Sequence, residues 1–186
     1  MAGCLGLKID AGGWLVVPAL LDRSMSSVQR ISPAGDKLFW PGASVKGASY
    51  AIDRPNASIT VLCEGLATGL AIFAAAPLAR VVFAFNAGNM ARVQIPHRGM
   101  AVLAADTDYA TAAKLGHNPG IDAAYEAAQA IGCGVAVPAG IEGTDWCDYR
   151  KERVAFLLSD RPKERESSIR LAVDAEIAAA MSRNAK

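Results

Sequence analysis

Most of the residue patterns that assign a function at sight are missing from this 186-residue chain. Two histidines, His97 and His117, and four scattered cysteines, Cys4, Cys63, Cys133 and Cys147, form no Cys-x-x-Cys pair. That removes a zinc ribbon, and a disulfide framework is not expected in a chain of this size without secretion signals. No Gly-x-Gly-x-x-Gly follows a strand, and Gly65-Leu-Ala-Thr-Gly69 does not fit that fingerprint. There is also no phosphate-binding loop ending in Gly-Lys-Ser/Thr. Neither histidine lies in a strand-end loop beside a nucleophile, so a Ser/His/Asp or Cys/His hydrolase has no support. No apolar run reaches the roughly 20 residues that span a bilayer. The Met1-Ala-Gly-Cys-Leu-Gly6 start has no basic region leading into an apolar stretch, so no signal peptide is expected. The expectation is a cytoplasmic protein with no membrane contact. An excess of one charge is missing too: 19 Lys and Arg stand against 18 Asp and Glu. Any nucleic-acid contact must therefore come from local clustering.

What remains is the composition of a packed domain, 52% apolar and 20% charged. Three zones are expected. Residues 1–56 carry short β-like runs, Trp14–Leu20, Ser27–Ile31 and Lys37–Trp40, broken by Gly, Pro and Asp; they suggest a small antiparallel sheet. Residues 57–150 alternate strand and helix. Apolar strands are expected at Ser58–Cys63, Arg80–Phe85, Met100–Ala105 and Val135–Val137. Between them, Leu66, Leu70 and Phe73 recur at helical spacing, a short helix is expected around Asn89–Val93, and Asn118-Pro119 reads as a capped helix start. Ile121, Tyr125, Ala128 and Ile131 mark the expected inner face of that helix. Apolar strands alternating with helices indicate an α/β fold with a central parallel sheet flanked by helices. Residues 151–186 form a charged helical tail whose Ile169, Val173 and Ile177 make an apolar stripe.

In such a sheet, sites form at the carboxyl ends of strands. Glu64-Gly65 follows the first core strand, Asp106-Thr-Asp108 the third, and Asp145-Trp-Cys-Asp148 lies in the loop after the fourth. Carboxylates that converge there repel one another unless a cation neutralises them. Magnesium suits the task, since it takes oxygen ligands and keeps sites open for substrate phosphates. The residues alone thus point to metal-assisted phosphate chemistry.

Three segments carry a resemblance. Val61-Leu-Cys-Glu64-Gly65-Leu-Ala-Thr-Gly-Leu-Ala71 is similar to the first toprim motif, and Ala104-Ala-Asp106-Thr-Asp108 to the second. Gly143-Thr-Asp145-Trp-Cys-Asp148 resembles the acidic segment that closes the domain in phage and plasmid DNA primases and primase-helicases. Lys37–Ala48 resembles their lead-in. The likeness covers roughly residues 14–150. It implies a Rossmann-like toprim core, nucleotidyl transfer that builds RNA primers on single-stranded DNA from nucleoside triphosphates, and a Mg2+ cofactor that Mn2+ can replace. By matched position, Glu64 becomes the general acid or base and Asp106 and Asp108 hold the metal. Glu64, Asp145 and Asp148 complete the metal-facing set. The chain has no zinc-binding module for template reading and no helicase motor, so such modules are expected in trans or elsewhere in a longer protein.

For phosphate and nucleotide contact the candidates are Arg30, Lys37, Lys46 and Arg54, with Asn86 and Asn89 after the second core strand. Phe39 and Trp40 point to opposite faces of a strand, so at most one of them stacks on a base. A toprim nuclease, or a non-catalytic module for DNA or a partner protein, would carry the same motifs.

Overall fold

The computed structural model describes residues 6–95, 100–107, 109–138 and 143–150. The tail at 151–186, with its Ile169, Val173 and Ile177 stripe, lies outside the described residues. So does Asp108.

Four strands come first: β1 (Lys8–Ile9), β2 (Leu15–Leu21), β3 (Ser24–Ile31) and β4 (Lys37–Phe39). They make the expected antiparallel sheet in the order β1-β2-β3-β4. Asp22 and Arg23 close the β2–β3 hairpin with φ of 48° and 65°. Left-handed backbone at both central positions matches the twist of the flanking strands.

The second sheet holds β5 (Tyr50–Ile52), β6 (Ile59–Cys63), β7 (Ala79–Phe83), β8 (Met100–Ala104) and β9 (Gly134–Ala136) in the order β5-β7-β6-β8-β9. Four strands are parallel, and β5 joins β7 antiparallel with Tyr50 opposite Phe83. The sheet thus takes its outer strand from before residue 57. The helices are α1 (Leu66–Ala75), α2 (Ala87–Met90), α3 (Tyr109–Leu115) and α4 (Pro119–Ile131). Among the described residues no helix is long and apolar enough to cross a membrane.

Both faces of the core sheet are buried, and this explains its unbroken apolar strands. Val61, Cys63, Val81, Phe83, Val102 and Ala104 face α1 together with Val17 and Ala19 of the first sheet. The alternate residues Leu62, Val82, Leu103 and Val135 face α4. Gly69 lets α1 lie close to the sheet, because a Cβ there would stand 2.0 Å from the Phe83 ring.

The inner face of α4 differs from expectation. Ala124, Ala127 and Ala128 are buried, while Tyr125 is 57% exposed. A 100° step per residue turns Tyr125 away once the small alanines settle against the sheet. The start of α4 is as expected: Asn118 accepts from Ile121 N at 3.2 Å, and Pro119 follows.

Candidate active site

The chain passes from β6 to β7 on one side, then crosses to β8 on the other. Strand order reverses between β6 and β8, and in open α/β sheets the crevice outside such a reversal is where ligands bind. Cys63 and Ala104 are register partners at the ends of those two strands. Glu64 and Asp106 therefore leave the sheet side by side at one edge. Each is partly buried.

Asp106 is held from two directions. Thr68 Oγ1, in the first turn of α1, donates to its carboxylate at 3.0 and 3.2 Å. Behind it Gly120 brings α4 close, since a Cβ there would stand 2.7 Å from the Asp106 carbonyl oxygen. The acidic loop is clamped onto the same edge. Thr107 N donates to Thr144 O at 2.6 Å, and Trp146 Nε1 donates to Ala105 O at 3.0 Å. Trp146 is 1% exposed and packs its ring 5.5 Å from that of Tyr149. This fastening sets Asp145 within electrostatic range of Asp106.

Burial dominates the electrostatics. It raises the Asp106 pKa to about 7; the Thr68 hydrogen bond lowers it, Glu64 and Asp145 raise it further, and Lys37 lowers it. Burial also raises Glu64, against the pull of Lys37. The neighbouring Cys63 thiol goes up as well, through burial and then the charges of Asp106 and Glu64. A thiol so disfavoured as thiolate is core filling, not a nucleophile.

Lys37 reaches this centre from the other sheet. Along β4, Lys37 and Phe39 share the inward face, and Lys37 Nζ lies 3.7 Å from where a Cβ of Gly65 would be. Phe39 meets Phe85 edge-on at 6.0 Å. Trp40 points outward, 61% exposed. The alternation is as expected for a strand.

The other candidates separate. Lys46 and Asn86 share a cleft near the end of β7. Asn89 is buried; its amide donates to Ala48 O and Ala84 O at 2.9 and 2.8 Å and accepts from Gly47 N at 2.7 Å. Arg30 is paired with Asp10 at 2.6 Å and lies over Trp14. Arg54 lies 3.8 Å over the Phe73 ring near the far end of α1 and donates to Phe73 O. Arg30 and Asn89 are thus engaged by the chain itself, whereas Arg54 uses one guanidinium nitrogen on Phe73 O and its buried Nε has no hydrogen-bond partner. Asp148 Oδ2 accepts from Thr144 N at 3.3 Å, while its own N–H donates to Asp145 Oδ1 at 2.8 Å, so the pair also ties the acidic loop together.

Among the described residues no three His, Cys, Asp or Glu close on one point as metal ligands. Still, Glu64, Asp106 and Asp145 offer only oxygen atoms, and their mutual repulsion is what a hard dication relieves. An all-oxygen donor set of this kind suits a hard divalent cation. Thr68 had no signal in the sequence beyond being a polar residue in the first turn after Glu64-Gly65.

A family model described as Toprim domain matches residues 59–155. No curated protein matches the chain. Among solved structures, the primase fragment of the bacteriophage T7 primase-helicase protein superposes with a TM-score of 0.57 at 16% identity, over 81% of this chain and 64% of that one. This chain therefore spans under two thirds of that fragment. A second match lies in the bacteriophage T7 lagging-strand DNA polymerase structure with primase domains of two gp4 subunits bound to an RNA/DNA hybrid and dTTP. Its TM-score is 0.52 at 17% identity, over 77% of this chain and 75% of that one. Likeness at this identity is likeness of fold.

Proposed function

The chain belongs to the toprim family, and on that premise we propose that it catalyses metal-dependent nucleotidyl transfer, extending an RNA primer on single-stranded DNA. The observation that carries this reading is the juxtaposition at the β6/β8 edge. A partly buried glutamate with a raised pKa stands beside a second partly buried carboxylate, with Lys37 within electrostatic range of both.

Glu64 is the proton-transfer group. A carboxyl whose pKa is raised by burial takes the proton of an attacking hydroxyl, or returns one to the leaving group, more readily than an ordinary one. Asp106, Asp108 and Asp145, with Glu64 facing them, would hold magnesium. A magnesium ion held there would supply Lewis-acid stabilisation of the charge on the transferring phosphate. Thr68 fixes the orientation of the Asp106 carboxylate, and Gly65 leaves room for a phosphate to approach under Lys37. Lys37 offsets charge that builds on that phosphate during transfer. The new bond joins a ribose oxygen to the α-phosphorus, and pyrophosphate departs.

A zinc-binding module or helicase, in trans or in a longer protein, would supply template reading and movement. The deciding test is incubation with single-stranded DNA, labelled nucleoside triphosphates and magnesium, with such partners supplied. Longer labelled products support the proposal. Shortened DNA would replace it with a toprim nuclease, and no change with a binding module.

A further inference from the structure

Among the described residues, left-handed backbone falls on glycines and on three other residues, Asp22, Arg23 and Phe85. Asp22 and Arg23 form the β2–β3 hairpin turn, which demands such angles. Phe85, with φ of 71°, has no hairpin to explain it. Glycine would take that conformation freely, whereas a bulky side chain strains the backbone. Strain of this kind persists only where the surrounding structure imposes it, and it gathers at functional sites. The ring at position 85 is therefore kept against a cost.

Its surroundings show where that ring acts. Ala84 N donates to Cys63 O at 2.9 Å, which carries the β6–β7 ladder to the point where Glu64 begins. Phe85 follows at the same sheet edge and is 7% exposed. Its ring meets that of Phe39 edge-on, with centroids 6.0 Å apart and planes at 79°. On β4, Phe39 is the residue that packs against the core, while Lys37 and Leu38 are exposed. Lys37 lies two residues from Phe39 on the same face of the strand. Its Nζ is 3.7 Å from where a Cβ of Gly65 would be.

β4 needs such a hold. It is three residues long and, among the described residues, pairs only with β3. Val17 and Ala19, which bury the first sheet against the core, belong to β2, two strands away. A strand at the far edge of the sheet can therefore shift without disturbing those contacts. Lysine carries its charge on a flexible four-carbon stem. Where the ammonium dwells thus depends on where the backbone beneath it is held.

We infer that Phe85 is a positioning residue for the transfer reaction: through its ring contact with Phe39 it holds β4 so that the Lys37 ammonium stands at the Gly65 approach, where the triphosphate of the substrate would lie. This rests on the proposed function for what Lys37 meets. Phe85 acts only through Phe39 and the strand that carries Lys37.

The test is a double-mutant cycle between Phe85 and Lys37, read by calorimetric titration of the full chain with ATP and magnesium in the absence of DNA. Lys37→Ala should weaken ATP binding by about tenfold, and Phe85→Leu, which keeps apolar bulk without a ring, by about fivefold. Adding Phe85→Leu to Lys37→Ala should weaken it further by less than about twofold, because no ammonium is left to place. In primer extension, kcat/KM should fall in the same pattern. Phe39→Leu alters the other ring and should follow Phe85→Leu in both backgrounds; it carries the test if circular dichroism shows that Phe85→Leu does not fold. An equal loss with and without Lys37 overturns the inference, since Phe85 would then only fill the core. So does unchanged ATP affinity in Phe85→Leu. Unchanged affinity in Lys37→Ala, or a parent protein that binds no ATP, overturns it too, because nothing would need placing. Primer extension by the parent together with an additive cycle would sink the positioning role and spare the function. A non-additive cycle in a protein that transfers no nucleotide would do the reverse.

Discussion

Glu64 and Asp106 are both carboxylates raised by burial, yet they invite different tests. Glu64→Gln keeps size and hydrogen-bonding capacity but cannot exchange a proton near neutral pH. Turnover in primer extension should fall by about 10²–10⁴-fold, the usual worth of a general acid or base. Strand affinity measured in EDTA should not change. Equal turnover of variant and parent would end the assignment of Glu64.

Asp106 lends itself to a stability measurement. In the folded chain its carboxyl keeps a proton up to about pH 7, whereas the ordinary value is 3.8. Between those values the folded state binds more protons than the unfolded one, so stability falls as pH rises. The limit is about 1.4 kcal/mol per pH unit for one such group. Without divalent ions the melting temperature should therefore drop between pH 4 and pH 7. Asp106→Asn should flatten that decline and melt higher at pH 8, because the amide still accepts from Thr68 and carries no charge. A lower melting point for the variant at pH 8 would show that the carboxylate's hydrogen bond outweighs its repulsion.

At the scale of elements, the site depends on how closely helices approach the sheet. Gly69→Ala would push a methyl group into the Phe83 ring and Cys63 Sγ, the latter 3.0 Å away. Overpacking of this kind costs about 1–3 kcal/mol, sometimes more. A melting temperature lower by several degrees is expected, and no change would mean that α1 can shift freely. The Trp146 clamp is a separate case. Trp146→Phe keeps most of the buried surface and loses the hydrogen bond to Ala105 O. Metal affinity should weaken more than stability, because Asp145 rides on that loop. Calorimetric titration with manganese, set beside a thermal melt, reads both.

Across the whole molecule, the two sheets behave as one body in the packing. Val17 and Ala19 share a cluster with Val61, Phe83 and Val102, and Leu20 and Ser49 exchange backbone hydrogen bonds at 2.9 and 2.8 Å. A shared core of this kind should unfold in a single transition. Tryptophan fluorescence and far-ultraviolet circular dichroism should give coincident urea curves, and separated midpoints would mean that the first sheet melts independently.

Local sequence was enough for the strands and helix caps, because a run such as Ile59–Cys63, flanked by turn residues, has few other ways to bury itself. It was likewise enough for the acids at strand ends, since position after a strand decides which edge a residue occupies. The weak elements β1 and β5, and α3 (Tyr109–Leu115), were not legible: β1 and β5 are two and three residues long and exist through their partners. Alternation alone put Phe39 and Trp40 on opposite faces but could not say which face was the inside; packing against Phe85 decided that. Nor could sequence tell that Lys37, from another sheet, would neutralise Glu64, or that Thr68 would hold Asp106. It could not separate Lys46 and Asn86, which line an open cleft, from Arg30 and Arg54, or from Asn89, which lines the same cleft but spends its amide on the chain's own backbone. Each of these is a relation between segments far apart along the chain, and only tertiary packing brings them into contact. Residue types and their spacing determined what chemistry the edge of the sheet can hold. The third dimension decided which side chains are left free to perform it.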